Sequence, residues 1–126
     1  MMNIEKSGIV LLTGRYEQCV RFYHEVMGLP ILFSKPTLTC LQFGHAYLMV
    51  ESGGIAKESE KHRGENPVVI RFNVEEVEAT AEALRAKGVL IQVMHFEWGV
   101  IGVFHDPDGN RCELKNSDAL FQRGAA

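Results

Sequence analysis

A strand, a helix and three more strands occur in that order twice in this 126-residue chain, and the duplication constrains its fold more than any other feature. Gly8 to Thr13 is a short run of aliphatic and β-branched residues, the pattern of a buried strand. Arg15 to Met27 follows, with Cys19, Phe22, Tyr23 and Val26 at helical spacing and Gly28 where a helix must stop. Pro30 to Ser34, Leu38 to Phe43 and His45 to Glu51 then predict three strands, the last two joined tightly at Gly44. After residues 52–66 the order repeats. Pro67 to Val74 predicts a strand, and Glu75 to Lys87 a helix with Val77, Ala81 and Leu84 inward and Gly88 past its end. Glutamates 75, 76 and 78 open that helix and Arg85 and Lys87 close it, which complements its dipole. Val89 to Val93, Val100 to His105 and Arg111 to Lys115 complete the second unit. The halves share an order of elements rather than letters.

The segment Asp106-Pro107-Asp108-Gly109-Asn110 has turn chemistry at each position. Proline presets φ, an aspartate side chain can bond nearby backbone, and glycine supplies positive φ. With strands on both sides it predicts a hairpin that delivers one carboxylate, Glu113, to a fixed place on the returning strand.

A chain of this size buries about two-thirds of its unfolded surface, enough for a core without metal or disulfide staples. A formal charge of −3 and a pI near 5.9 offer no basic field, which argues against a nucleic-acid partner. No apolar run approaches the roughly 20 residues that span a bilayer. Met1 to Gly8 lacks the apolar stretch of a secretory signal. Cys19, Cys40 and Cys112 are odd in number and form no Cys-x-x-Cys pair. They predict buried reduced thiols, so a cytoplasmic location and no membrane association are expected.

The two units, the Phe22-Tyr23 pair ahead of Met27-Gly28, and the Phe-x-Asp-Pro-Asp-Gly-Asn-x-x-Glu-Leu ending (Phe104 to Leu114) together resemble the vicinal oxygen chelate superfamily. That group contains glyoxalases, bleomycin-resistance proteins and extradiol dioxygenases. The resemblance implies an α+β fold of two βαβββ modules, whose strands form a half-open curved sheet with the helices outside. One glyoxalase-like domain is expected over residues 1–126: module 1 at about 7–52, a linker at 53–66, module 2 at about 67–117 and a tail at 118–126. The linker carries Gly53, Gly54, Gly64 and a charge-rich stretch from Lys57 to Arg63, so a solvated connection or a lid are both open readings. Relatives commonly dimerise, and a homodimer is the expectation here.

Metal-dependent members of the family draw one ligand from each of four strands. Carried over one by one, those positions fall on Gly8, near Met49 with Glu51 two residues on, near Val69, and on Glu113. Only Glu113 matches. Glycine and valine cannot coordinate, and a thioether suits soft copper rather than the family's divalent metals. The five histidines, His24, His45, His62, His95 and His105, form no His-x-His or His-x-x-x-His pair. A constellation of His95 or His105 with Glu113 is one way to rebuild a site.

Strand alternation sorts the remaining candidates. If Glu113 faces the cavity, so do Arg111 and Lys115. By the same parity Val69, Arg71 and Asn73 line the strand that opens module 2, Tyr47, Met49 and Glu51 line module 1's last strand, and Gly8, Val10 and Leu12 its first. Trp98, the single tryptophan, stands just before a cavity strand. The expected ligand-binding set is therefore Tyr47, Met49, Val69, Arg71, Asn73, Trp98, Arg111 and Glu113, a mostly apolar lining with a few convergent polar groups. The competing reading is structural: Arg71, Arg111, Glu51 and Glu113 simply pair across strands, and Trp98 plugs a barrel end.

Two functions stay open. The first is a bleomycin-resistance-like protein that binds an amphipathic or aromatic small molecule without metal or other cofactor. The alternative is a glyoxalase-like lyase or isomerase, or a dioxygenase-related enzyme, with Glu113 as catalytic base or ligand. Only that alternative calls for a divalent metal, held through non-standard partners. A carboxylate in a partly apolar cavity would then have a raised pKa suited to proton abstraction. A purely structural module is the third possibility.

Overall fold

The computed structural model describes residues 1–117; the 118–126 tail lies outside the described residues. The chain divides into two compact units, residues 1–58 and 59–126.

The first unit runs β1 (Gly8–Thr13), α1 (Tyr16–Arg21), a π-helical turn (Phe22–Val26), β2 (Ile31–Lys35), β3 (Leu38–Phe43) and β4 (Ala46–Ser52). The helix expected over residues 15–27 thus changes character halfway. Met27 N–H reaches back five residues to the Phe22 carbonyl at 2.9 Å, the signature of the widened turn. Phe22 and Tyr23 are both buried and meet edge to face, with ring centroids 5.1 Å apart. Gly28 ends the helix at φ +78°, a conformation that side chains other than glycine's rarely adopt. The sheet order is β1-β4-β3-β2, with β1 and β4 parallel and the rest antiparallel. Leu41, Leu48 and Val50 are fully buried on one face, as are Cys19 and Tyr23 of the helical segment.

The second unit repeats the plan. It runs β5 (Ile70–Val74), α2 (Val77–Ala86), β6 (Gln92–Phe96), β7 (Gly99–His105) and β8 (Arg111–Asn116). Its sheet order is β5-β8-β7-β6, again with the outer first strand parallel to the last. Val77, Ala81 and Leu84 are the buried side of α2, and Ile70, Phe104, Cys112 and Leu114 are buried on the strands. All three cysteines are buried and outside any disulfide among the described residues. None of the described helices is long and apolar enough to cross a membrane.

The turn before β8 is built as its residues require. Gly109 has φ +90°, and Oδ1 of the buried Asp106 accepts from the backbone N–H groups of Asp108 and Asn110, both at 2.9 Å. Asp106 Oδ2 takes the Asn110 side-chain amide at 3.0 Å. Segment 53–66 is tied down in both units. Gly53 and Gly54 N–H groups bond the Thr13 carbonyl in the first. In the second, Lys61 and Asn66 side chains both donate to Asn110 Oδ1 at 3.0 Å.

Two boundaries shift. β5 begins at Ile70 rather than Pro67, so Val68 and Val69 precede the strand and are exposed. β6 begins at Gln92 rather than Val89, and Leu90 is almost wholly exposed. Apolar Val89-Leu90-Ile91 has strand character by composition, but pairing with β7 sets the register, closing the hairpin with Phe96 opposite Gly99.

Candidate functional site

In each unit one face of the sheet carries the helix and the other carries the candidate residues. On the first unit's helix-free face, Val10, Met49, Cys40 and Phe33 stand side by side across β1, β4, β3 and β2. Val10 and Phe33, like Leu12 further along β1, are about half exposed, an apolar surface that nothing within the unit covers. Tyr47 pairs with Gly8, and its ring lies where a β-carbon at position 8 would stand. The absence of a side chain at Gly8 is therefore used: it seats the Tyr47 phenol against the strand.

The second unit's helix-free face is dominated by an ion cluster. Arg71 on β5 is registered opposite Glu113 on β8. Its Nε and Nη2 donate to Glu113 Oε1 at 3.0 and 2.7 Å. Arg111 grips the other oxygen, with Nε at 2.9 Å and Nη2 at 2.8 Å from Oε2, and its Nη1 lies 3.4 Å from Glu60. The Glu113 side chain is 6% exposed, whereas Arg71 is 45% and Arg111 30% exposed. Burial alone would raise the Glu113 carboxyl, but the hydrogen bonds and charges of the two guanidiniums outweigh it and hold the pKa below the ordinary range. Burial acts to lower Arg111, and its bonds to Glu113 and Glu60 reverse that, leaving it more firmly charged than usual.

The expectation of a raised Glu113 pKa is thereby corrected. An apolar cavity would raise it, but the carboxylate sits in a guanidinium clamp. A general base needs a pKa near the working pH, so Glu113 is poorly matched to proton abstraction.

An aromatic pair lies on the same sheet face. Phe96 ends β6 and Trp98 sits in the β6–β7 turn; their rings stack nearly parallel, at 4° and 4.8 Å between centroids. Both are about half exposed, so Trp98 does not act as a buried plug within its unit. The buried Lys115 places Nζ 5.7 Å from the Trp98 ring centroid and 2.6 Å from the Asn116 carbonyl. Asn73 is registered opposite Lys115. Phe96 is a partner that the sequence reading missed, and Lys115, which that reading placed on the cavity face, was left out of its ligand-binding set. Ending β6 at Val93 placed Phe96 outside any strand, although its position two residues before Trp98 was a usable signal.

His95 faces the other way, with Nε2 2.6 Å from Glu78 of α2. His105 shares the Glu113 face by alternation, and its Nδ1 is 2.9 Å from the Asp106 carbonyl. Neither joins Glu113. The four family ligand positions thus present a glycine under a tyrosine ring, a thioether, a valine, and a carboxylate whose oxygens are both bonded to arginines. That donor set does not fit a divalent metal ion. Among the described residues, no group of three or more His, Cys, Asp or Glu side chains is placed to hold one.

A family model described as Glyoxalase/Bleomycin resistance protein/Dioxygenase superfamily matches residues 7–114. The YraH protein of Bacillus subtilis (strain 168), itself uncharacterized, is 28% identical over 119 residues, which covers 84% of this chain and 93% of YraH. Among solved structures, lactoylglutathione lyase from Agrobacterium tumefaciens is similar at 18% identity and a TM-score of 0.71, over 91% of this chain and 95% of its own. TnmS3, an antibiotic binding protein from Streptomyces sp. CB03234, is similar at 19% identity and a TM-score of 0.70, over 94% and 99%. The fosfomycin resistance protein FosX from Mesorhizobium loti is similar at 15% and 0.71, over 97% and 99%. At these identities the structural likeness is one of fold.

Proposed function

Because the chain belongs to the glyoxalase/bleomycin resistance protein/dioxygenase superfamily, we propose that it is a binding member: it takes up an amphipathic or aromatic small molecule and needs no metal ion. The observation that carries this reading is the double arginine grip on Glu113. Among the four positions where metal-dependent relatives hold their ion, Glu113 is the one carboxylate, and both its oxygens are taken. An ion would have to displace two guanidiniums to gain a single anionic ligand, with no histidine beside it.

Each unit offers contact area of the kind an aromatic ligand requires: the apolar surface of Val10, Leu12 and Phe33 in the first, and the half-exposed Phe96–Trp98 pair in the second. Binding, as in the antibiotic binding protein of like fold, asks for no more than this. A lyase or isomerase would need a base or a Lewis acid, and Glu113 with a lowered pKa is a weak base. The working unit is proposed to be a homodimer, supported by Ile31, Leu32 and Phe33, which are exposed in succession along the edge strand β2.

Metal analysis of freshly purified, dialysed protein tests the proposal. The expected content is far below one equivalent, with a melting temperature unchanged by a chelator. Near-stoichiometric zinc, nickel or iron that survives dialysis would overturn it.

A further inference from the structure

Four charged groups meet near the start of β8, and they are not held equally. Glu113 keeps Arg71 on one oxygen and Arg111 on the other, through contacts of 2.7–3.0 Å. Glu60 touches the cluster at 3.4 Å from Arg111 Nη1, longer than an ordinary N–H···O bond. Its side chain is 37% exposed, against 6% for Glu113. Of the two carboxylates on Arg111, Glu60 is therefore the one that can leave. Water replaces its bond at little cost, whereas the buried Glu113 depends on its arginines.

The residue next to Glu60 keeps it in place. Lys61 N–H donates to the Gly109 carbonyl at 2.7 Å, and Lys61 Nζ to Oδ1 of the buried Asn110 at 3.0 Å. The backbone is thus clipped to the β7–β8 turn, and rotation of the Glu60 side chain alone opens Arg111 Nη1. That departure also changes the charge. With Glu60 in contact, two guanidiniums stand against two carboxylates. Without it they share Glu113 alone, and one positive charge is left over. Arg71 adds to the open side: it is 45% exposed, and its Nη1 has no partner among the described residues.

We propose that Arg111 Nη1 is the receiving point for a ligand carboxylate, and that Glu60 occupies it in the free protein as a stand-in that the ligand displaces. A carboxylate fits the position, since Glu60 supplies one. This rests on the small-molecule reading above and adds the ligand's charge. The ligand class is an organic acid rather than an amine, because both Glu113 oxygens are already taken. Glu113 fixes both guanidiniums before any ligand arrives, which lowers the entropic cost of binding.

Benzoate and the neutral benzyl alcohol test it in NMR titrations of the full chain. Glu60→Gln removes the competing charge at nearly constant size, on an exposed side chain where the fold does not depend on it. It should tighten benzoate about threefold, within the range of an exposed ion pair, and leave benzyl alcohol unchanged. The Arg111 Nε–H resonance should move with benzoate and stay still with the alcohol. Glu82→Gln makes the same change of net charge on α2, at the other face of the sheet, and should alter neither affinity. Benzoate affinity unchanged or weakened by Glu60→Gln would overturn the proposal. An equal gain in Glu82→Gln, or an Arg111 resonance that benzoate does not move, would do the same. Benzyl alcohol bound as tightly as benzoate by parent and Glu60→Gln alike would overturn the carboxylate assignment and leave the small-molecule reading standing. Neither probe binding to either protein would overturn both readings.

Discussion

Glu113 is buried on a strand yet stays ionised, because two guanidiniums supply what water no longer does. Its pKa lies below that of the unfolded chain, so the stabilisation is fully present at neutral pH and is lost as pH falls through the lowered value. Glu113→Gln should therefore cost about 1–2 kcal/mol at pH 7, a figure reduced by the exposure of both arginines. The gap between variant and parent should narrow as pH falls through that lowered value and the parent carboxylate takes up a proton. Urea melts over a series of falling pH values measure both, and a gap that never narrows down to the acid unfolding of the parent would show that the ion cluster is not its source. Alternation along β5 and β8 placed Arg71, Arg111 and Glu113 on one face from the letters alone. That both guanidiniums close on one carboxylate depends on the pairing of residue 71 with residue 113, a long-range register that no local pattern encodes.

At the scale of elements, the β7–β8 turn was the most legible part of the chain, because each of its residues has its own local reason. Asp106 accepts three hydrogen bonds in a site without solvent. Asp106→Ala should lower stability by about 2–4 kcal/mol, since it leaves buried donors unpaired. Gly109→Ala, at φ +90°, should cost on the order of 1 kcal/mol. Thermal melts check both, and an Asp106→Ala protein as stable as the parent would show that the turn is held by other means. β6 was less legible. Its flanking residues are as apolar as its own, so composition could not locate its ends; the opposite strand did. The π-helical turn at Phe22–Val26 likewise left no mark in the spacing of apolar residues, which suits an ordinary helix equally well.

At the scale of the whole molecule, each unit has a finished core on its helix side; the other face is half-exposed and apolar in the first unit, and carries the Glu113 ion cluster and the Phe96–Trp98 pair in the second. Apolar residues exposed in succession along an edge strand mark a surface for association. Light scattering of the 14.1 kDa chain at micromolar concentration should give twice the monomer mass. Phe33→Lys should shift that mass toward the monomer while the melt stays cooperative. A parent protein that runs as a monomer at all concentrations would remove the dimer from the proposal.

The order of elements, the two glycine stops, the turn at 106–110, the buried cysteines and the face each strand residue takes are all set by near neighbours in the chain, through periodicity, positive φ and side-chain-to-backbone bonds. The partners of those residues are not. Whether Glu113 is a base or one corner of an ion cluster, and whether Gly8 is an empty ligand position or a seat for Tyr47, depend on strands brought together from distant parts of the sequence. Side-chain chemistry follows from what lies within a few ångströms, and only the pairing of those strands decides that.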